Sequence, residues 1–237
     1  MKSERIPEIS ELFDLRRTIA AELFKGKQYP WEVLGDIESF IYELGPSLDP
    51  EIYDNPREGV WIAKDAKVFD SVYIAPPCII DCGAEVRHCA FIRGNAIVGK
   101  NAVVGNSVEL KNSILFDNVE APHYNYVGDS VLGFRAPMGA GSITSNVKSD
   151  RLPVVVKAGS QSIQTGRKKV GAMLGDYVEV GCNSVLNPGT IVGAHTNIYP
   201  TSSVRGVIPG HSIYKDEENI ERKRDVVAEA KLQSLNR

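Results

Sequence analysis

Arg93 and Lys111 are the first residues of this sequence whose types and spacing indicate chemistry. They are eighteen residues apart, and His123 follows Lys111 by twelve. Arginine and lysine are the usual phosphate ligands of proteins. An imidazole, with an ordinary pKa near 6.5, can accept a proton at neutral pH. The three residues therefore suggest a phosphate-bearing substrate beside a general base, and the alternative is a solvated cation pair with a structural histidine.

A six-residue repeat provides the elements that would position these side chains. Aliphatic or aromatic residues recur every six positions from Ile62 to Phe116, and the series resumes from Leu174 to Val204. Such a repeat predicts an all-β fold, a parallel β-helix in which three units close one coil of eighteen residues. Arg93 and Lys111 should then stack on one corner of adjacent coils, about 4.8 Å apart. Two like charges this close repel unless an anion lies between them.

Two interruptions of the repeat are expected to carry function, because loops on a rigid scaffold usually do. Between Phe116 and Val127 the register loses one residue, which the sequence places within residues 121–126. An insertion over residues 147–173 predicts a hairpin that turns near Gly159 and ends in Arg167, Lys168 and Lys169.

The chain divides into three parts around this repeat. Residues 1–58 form an N-terminal helical segment and linker, with two helices predicted within residues 7–45. These helices are expected to cap the open edge of the first coil. Residues 59–213 form the β-helix with its insertion, and residues 214–237 are predicted to be a C-terminal helix.

Composition narrows the choice of partners and compartment. A formal charge of -3 gives no indication of a nucleic-acid surface. No apolar run approaches the roughly 18 residues of a membrane helix, and the first residues lack the apolar core of a signal peptide. The four cysteines form no C-x-x-C pair. A cytoplasmic protein without a membrane or nucleic-acid partner is therefore expected.

Four parts of the sequence resemble one enzyme family: Arg93, residues 105–111, residues 123–129 and residues 139–146. It is the hexapeptide-repeat acetyltransferase domain, acting on glucosamine 1-phosphate, of the bifunctional pyrophosphorylase (uridyltransferase)/acetyltransferase that makes UDP-N-acetylglucosamine. The resemblance covers roughly residues 92–146 and 174–204. It implies a left-handed β-helix, a homotrimer with active sites between subunits, and acetyl transfer from acetyl-CoA to the amine of glucosamine 1-phosphate.

The same resemblance implies three sets of site residues and no metal. His123 matches the catalytic base of the family, and Asn146 matches the asparagine that supports this base. The residues that match sugar-phosphate ligands are Arg93, Lys111, Tyr126 and Lys169, and those placed at the coenzyme are Cys182, Pro200 and Arg205.

Departures from the family pattern keep other functions open. Pro137 replaces an asparagine that binds the sugar, and Cys182 replaces a serine associated with the coenzyme. The acceptor could be another amino sugar or a nucleotide-linked one, or the protein could be a non-catalytic sugar-phosphate-binding or regulatory subunit. A zinc-dependent γ-type carbonic anhydrase would need three suitably spaced histidines, which the four present do not offer. No uridyltransferase half is expected in this chain.

Overall fold

The structure, a computed structural model, describes residues 3–224. Its main body is the expected left-handed parallel β-helix. Short parallel strands form three faces, and the inward residues, such as Ile80, Val98 and Leu186, are fully buried. Two long strands, Glu109–Leu115 and Tyr126–Leu132, bend around a corner and belong to faces 3 and 1.

The strands of each face lie in parallel register along the helix axis. Face 1 contains Val60–Ala63, Cys78–Ile80, Ala96–Val98, the ends of the two long strands, Ala172–Leu174, Thr190–Val192 and Val207–Ile208. Face 2 contains Lys67–Val68, Glu85–Val86, Val103–Asn106, Glu120–His123, Glu179–Val180, Asn197–Ile198 and Ser212–Tyr214. Face 3 contains Tyr73–Ile74, Phe91–Ile92, the beginnings of the two long strands, Ile143–Thr144, Val185–Leu186 and Ser203–Val204.

Three corners join the faces of the β-helix. The site corner joins face 3 to face 1 and includes residues 93–95, 111–112 and 128–129. The histidine corner joins face 2 to face 3 and includes residues 122–125. The far corner joins face 1 to face 2 and includes residues 193–195.

The point at which the six-residue register shortens by one residue lies at the site corner. The prediction that placed it within residues 121–126 is therefore wrong. Leu110 pairs with Ile92, eighteen residues away, whereas Ser113 pairs with Ala96, only seventeen away. The corner at Asn112 therefore turns with one residue fewer. Its φ of 50° is in the left-handed region, which asparagine tolerates better than most residues.

Phe116 consequently does not occupy the inward position that the repeat predicts. Leu115 pairs with Val98 and takes that position. The ring of Phe116 lies 5.1 Å from that of Phe13 and 5.7 Å from that of Phe24, centroid to centroid. Phe116 thus joins the β-helix to the N-terminal segment.

The N-terminal segment covers face 1 rather than capping the first coil. The helix Ile37–Leu44 packs on Ala96–Val98 and on Glu109–Leu115. Near the other end of the face, Asp176 N donates to Leu12 O. The outward residues of face 1 are apolar and fully buried: Ile79, Ile97, Ile114, Val131, Met173 and Ile191.

The first predicted helix is wrong, since only Ile9–Leu12 is α-helical there. Phe13 is extended, and the carbonyls of Leu12 and Arg17 accept hydrogen bonds from the β-helix. These hydrogen bonds replace the backbone hydrogen bonds that the same carbonyls would accept within a continuous α-helix. The remaining turns of the segment are 3₁₀ helices at Leu15–Arg17, Ala21–Phe24, Pro30–Gly35 and Gly45–Ser47.

The hairpin of the insertion is confirmed. Val155–Ala158 pairs antiparallel with Gln161–Gln164 around Gly159, which has a φ of 52°. An antiparallel bridge between Val147 and Lys169 closes the base of the insertion. A further antiparallel strand, Tyr53–Arg57, precedes the first coil and pairs with Val60–Ala63.

The predicted C-terminal helix is wrong for the residues that the structure describes. Ile220–Arg222 is a strand that pairs antiparallel with Ser212–Tyr214. The Asp216 carboxylate accepts bonds from the backbone of Glu218 and Asn219, which forms a turn before this strand. The rest of the predicted helix, residues 225–237, lies outside the described residues. Within residues 3–224, no helix is long and apolar enough to cross a membrane.

Candidate functional site

A cavity of about 590 Å³ lies at the site corner, between three parts of the chain. The corner itself contributes one wall, the end of the insertion a second, and the N-terminal segment a third. Its charged lining residues are Glu38, Arg93, Lys111, Asp129, Arg167, Lys168 and Lys169.

Arg93 and Lys111 stack at this corner as predicted, because the strands that precede them pair in the eighteen-residue register. Each cation has a carboxylate partner. Arg93 Nη1 lies 2.7 Å from Glu109 Oε1, and Lys111 Nζ lies 3.0 Å from Asp129 Oδ2. The carboxylates relieve the repulsion that the sequence alone assigned to a missing anion, and they fix both cations beside the cavity.

Asp129 is the centre of a buried network, with 2% of its side chain exposed. Besides Lys111, its oxygens accept from Asn112 Nδ2 at 3.0 Å and from Asn146 Nδ2 at 2.6 Å. Asn146 Nδ2 also donates to Tyr126 Oη at 3.1 Å. The structure therefore brings Lys111, Tyr126 and Asn146 together around one carboxylate.

Tyr126 stands on the outer surface of face 3, beside this network. Burial raises the pKa of its phenol, although the hydrogen bond from Asn146 lowers it in part. The phenol therefore remains a neutral hydrogen-bonding group at neutral pH.

His123 lies at the histidine corner, at the other edge of face 3. Its side chain is exposed, and its backbone N donates to Asn125 Oδ1 at 3.1 Å. Asn125 is buried and donates to Gly139 O and Ser142 O, which fixes this corner to the next coil. Tyr126 is three positions after His123, so their Cα atoms are at most about 11 Å apart. A sugar-sized ligand lying across face 3 can reach both side chains.

Asn146 does not contact His123 in the part of the chain that the structure describes. Its amide bonds to Tyr126 and Asp129 instead. The support of the base that the resemblance implies is therefore not present as a direct bond within residues 3–224.

Of the residues expected at the coenzyme, Cys182 and Pro200 lie on adjacent coils, where Thr201 N donates to Cys182 O at 2.8 Å, whereas Arg205 lies apart from them. Cys182 and Pro200 lie on the histidine corner, two and three coils beyond His123, and both are exposed. Arg205 lies on the site corner, where it donates to Asn187 Oδ1 at 3.2 Å. It borders a second cavity of about 660 Å³, which Lys148 and Lys157 also line.

The four histidines lie on two different corners of the β-helix. His88 and His123 lie on the histidine corner, whereas the rings of His195 and His211 stack 4.7 Å apart along the far corner. Within residues 3–224, no group of three histidine, cysteine or carboxylate side chains could hold a metal ion.

Three charged residues in or beside the cavity were not singled out from the sequence as ligands or partners. Glu109 and Asp129 could have been suspected as acidic residues near the basic pair. The pairing of Asp129, however, depends on the shortened corner, which the repeat does not reveal. In the sequence, Arg167 stood out only as part of the basic end of the insertion.

The fold and these corners define a hexapeptide-repeat β-helix protein with a basic cavity at one corner. Residues 74–199 match the family described as the GMPPB C-terminal domain. This match spans more than half of the chain, and the protein belongs to that family.

Curated relatives give the same resemblance as the sequence motifs. The chain is 33% identical over 199 residues to "Bifunctional protein GlmU" of Methanococcus maripaludis strain C5, which covers 83% of this chain and 48% of the relative. It is 35% identical over 145 residues to "Bifunctional sugar-1-phosphate nucleotidylyltransferase/acetyltransferase" of Sulfurisphaera tokodaii, covering 61% of this chain and 36% of the relative. The resemblance to the GlmU acetyltransferase domain is thus confirmed, and the chain spans half or less of the length of these relatives.

Solved structures show weaker likeness. A variant of perosamine N-acetyltransferase from Caulobacter crescentus, in complex with CoA and GDP-perosamine, is 16% identical with a TM-score of 0.32. The alignment covers 70% of this chain and 57% of that chain.

Proposed function

We propose that the protein is an acetyltransferase that moves the acetyl group of acetyl-CoA to the amine of an amino-sugar phosphate, with glucosamine 1-phosphate as the acceptor. The observation that carries this proposal is the arrangement across face 3. Arg93 and Lys111 stand at one edge of this face, and His123 stands at the other. The relative named as a sugar-1-phosphate nucleotidylyltransferase/acetyltransferase supports the same reaction.

His123 is the base in this reaction. An amino sugar is largely an ammonium ion at neutral pH, and its nitrogen becomes nucleophilic only after a proton leaves. His123 takes that proton as the nitrogen attacks the thioester carbonyl. A C–N bond forms, the C–S bond breaks, and the sulfur of the coenzyme leaves with the electron pair and is then protonated. No covalent enzyme intermediate is required.

Arg93, Lys111 and Lys169 hold the phosphate of the acceptor. Glu109 and Asp129 keep the first two cations in place before the substrate arrives, so little side-chain freedom is lost on binding. A fixed phosphate holds the amine near His123, and such positioning can lower the barrier substantially. Tyr126 and Asn146 border the sugar between these ends.

The coenzyme and the trimer complete the proposal. Face 1 is covered by the N-terminal segment, so faces 2 and 3 are the ones left to pack against neighbouring subunits. In a homotrimer with sites between subunits, acetyl-CoA lies along the boundary of two chains. Cys182 and Pro200 of one subunit and Arg205 of another would then contact it, which accounts for the separation of Arg205 from the other two in a single chain.

An acceptor panel tests the proposed function. The protein is incubated with acetyl-CoA and glucosamine 1-phosphate, free glucosamine, or a nucleotide-linked amino sugar, and each product is identified by mass. We expect N-acetylglucosamine 1-phosphate to form fastest. Preferred acetylation of the nucleotide-linked sugar would reassign the acceptor, and no acetylated product from any arm would contradict the transferase function.

A further inference from the structure

The third wall of the cavity comes from the N-terminal segment, and it holds Arg167 in an unusual position. Arg167 Nη2 donates to Leu34 O at a long 3.4 Å. Among the described residues, its Nε is buried and has no hydrogen-bond acceptor. A guanidinium group carries five N–H donors, and leaving a buried one unpaired is costly. The group is thus poorly satisfied without a ligand.

In the described part of the chain, the three cations at the end of the insertion also form no ion pair, although Glu38 lines the same cavity. Within residues 3–224, neither Arg167 nor the adjacent Lys168 and Lys169 forms a salt bridge with a carboxylate. This differs from Arg93 and Lys111, which both have carboxylate partners. The positive charge that remains for a ligand is therefore concentrated on the wall formed by the insertion.

Gly35 fixes the side chain of Arg167 against the N-terminal segment. A Cβ atom at Gly35 would lie only 2.8 Å from Arg167 Nη1, with no other side chain within 3.5 Å. The backbone of Leu34 is itself held, because Asn112 Nδ2 donates to Leu34 O at 3.1 Å. The site corner, the N-terminal segment and the insertion thus meet at Leu34 O, which accepts from both Asn112 and Arg167.

We propose that Arg167 is a phosphate-binding residue of the acceptor site, which the N-terminal segment holds in place through Leu34 and Gly35. The proposal rests on the proposed function for the identity of the acceptor, but binding of phosphate to Arg167 requires no turnover. A planar guanidinium can bind two phosphate oxygens at once, which the lysines beside it cannot do. The N-terminal segment then has a role in the site as well as in covering face 1.

Isothermal titration of the full-length protein with inorganic phosphate and with glucosamine 1-phosphate, without coenzyme, tests this proposal. We expect Arg167→Gln to weaken binding of both ligands about tenfold or more, since a charge-assisted bond is lost. Lys64→Gln removes an exposed cation at the first coil and should leave both affinities unchanged.

Gly35→Ala provides a second variant that keeps every charge of the cavity. It should displace the guanidinium and weaken binding of both ligands, while thermal unfolding shows the same cooperative transition as the wild type. If Arg167→Gln fails to fold, the affinities of Gly35→Ala for the two ligands test the proposal on their own.

Three results would overturn the inference. One is affinity within twofold of the wild type in well-folded variants, and another is no phosphate binding by the wild type at millimolar concentration. The third is weaker acetyl-CoA binding with unchanged affinity for both phosphate ligands, which would assign Arg167 to the coenzyme. If the acceptor panel fails but phosphate binding depends on Arg167, the proposed function is wrong and the inference stands.

Discussion

Asp129 organises the binding corner at the scale of single residues. Its carboxylate accepts from three side chains and is almost completely buried. A buried acceptor of this kind positions its donors and makes each of them depend on the others. The geometry of Lys111 and Asn146 therefore depends on a residue that need not touch the substrate.

Asp129→Asn should destabilise the protein by about 1–3 kcal/mol, because an amide donor then faces the amides of Asn112 and Asn146. Urea unfolding followed by circular dichroism measures the loss. Asp150→Asn, at an exposed aspartate paired with Lys148, is the matched control and should change stability little. Equal losses in the two variants would show that the network contributes nothing beyond a surface pair.

The sequence identifies some of these residues and misses others for a physical reason. The six-residue period alone places Arg93 and Lys111 on one corner, and the pairing confirms it. The contact between Asp129 and Asn112 arises only because the corner is one residue short. A deletion in a corner leaves the apolar pattern of the strands nearly intact, so the sequence cannot locate it to the residue.

The N-terminal segment is the element that the sequence described least well. Its apolar stripe correctly indicated burial, but the stripe does not specify a partner surface. The structure uses the backbone carbonyls of the segment for bonds to the β-helix, and most of its turns are therefore 3₁₀. The insertion hairpin was predictable, because its strands and turn are encoded locally.

Phe116→Ala tests the attachment of this segment. The ring of Phe116 is fully buried between the β-helix and Phe13 and Phe24, so its removal should cost about 3–5 kcal/mol. Phe91→Ala removes the same side chain from face 3, where it is 42% exposed, and should cost much less. Thermal unfolding of both variants makes the comparison, and a similar cost for the two would contradict an outward, packed Phe116.

His195, in the ring stack of the far corner, makes stability depend on pH. Burial is the main cause that lowers the pKa of His195 below 6.5, and His211 and Lys223 add to it. The unfolded chain then binds the proton more readily, so stability should fall as the pH drops through 6.5 and below.

Denaturant titrations between about pH 7.5 and pH 5.5 measure this fall. His195→Gln should show a shallower loss of stability than the wild type over the same range. A steeper or identical loss would mean that the imidazole is not protonated more easily in the unfolded chain.

At the scale of the whole molecule, the repeat predicts the fold class well, because every coil carries the same information. The oligomeric state cannot be predicted in the same way, since no motif in the sequence specifies how subunits assemble. Face 1 is occupied by the N-terminal segment, which limits contacts between β-helices to the other two faces.

Light scattering should therefore give a mass three times the 25.9 kDa of one chain. The trimer follows from the proposed sites between subunits, to which one chain contributes Cys182 and Pro200 and another contributes Arg205. A monomer at micromolar concentration would exclude such shared sites.

His123 is the proposed base of an acetyl transfer from acetyl-CoA to a phosphate-bearing amino sugar. His88 is a matched control, because it stands two coils away at the same position of the histidine corner.

The most direct measurement is the rate of thiol release from acetyl-CoA with glucosamine 1-phosphate, for the wild type, His123→Ala and His88→Ala. We expect His123→Ala to lower kcat by about 10²- to 10⁴-fold, the usual contribution of a positioned base, and His88→Ala to retain nearly full activity. Near-wild-type turnover by His123→Ala, or an equal loss in both variants, would contradict the assignment.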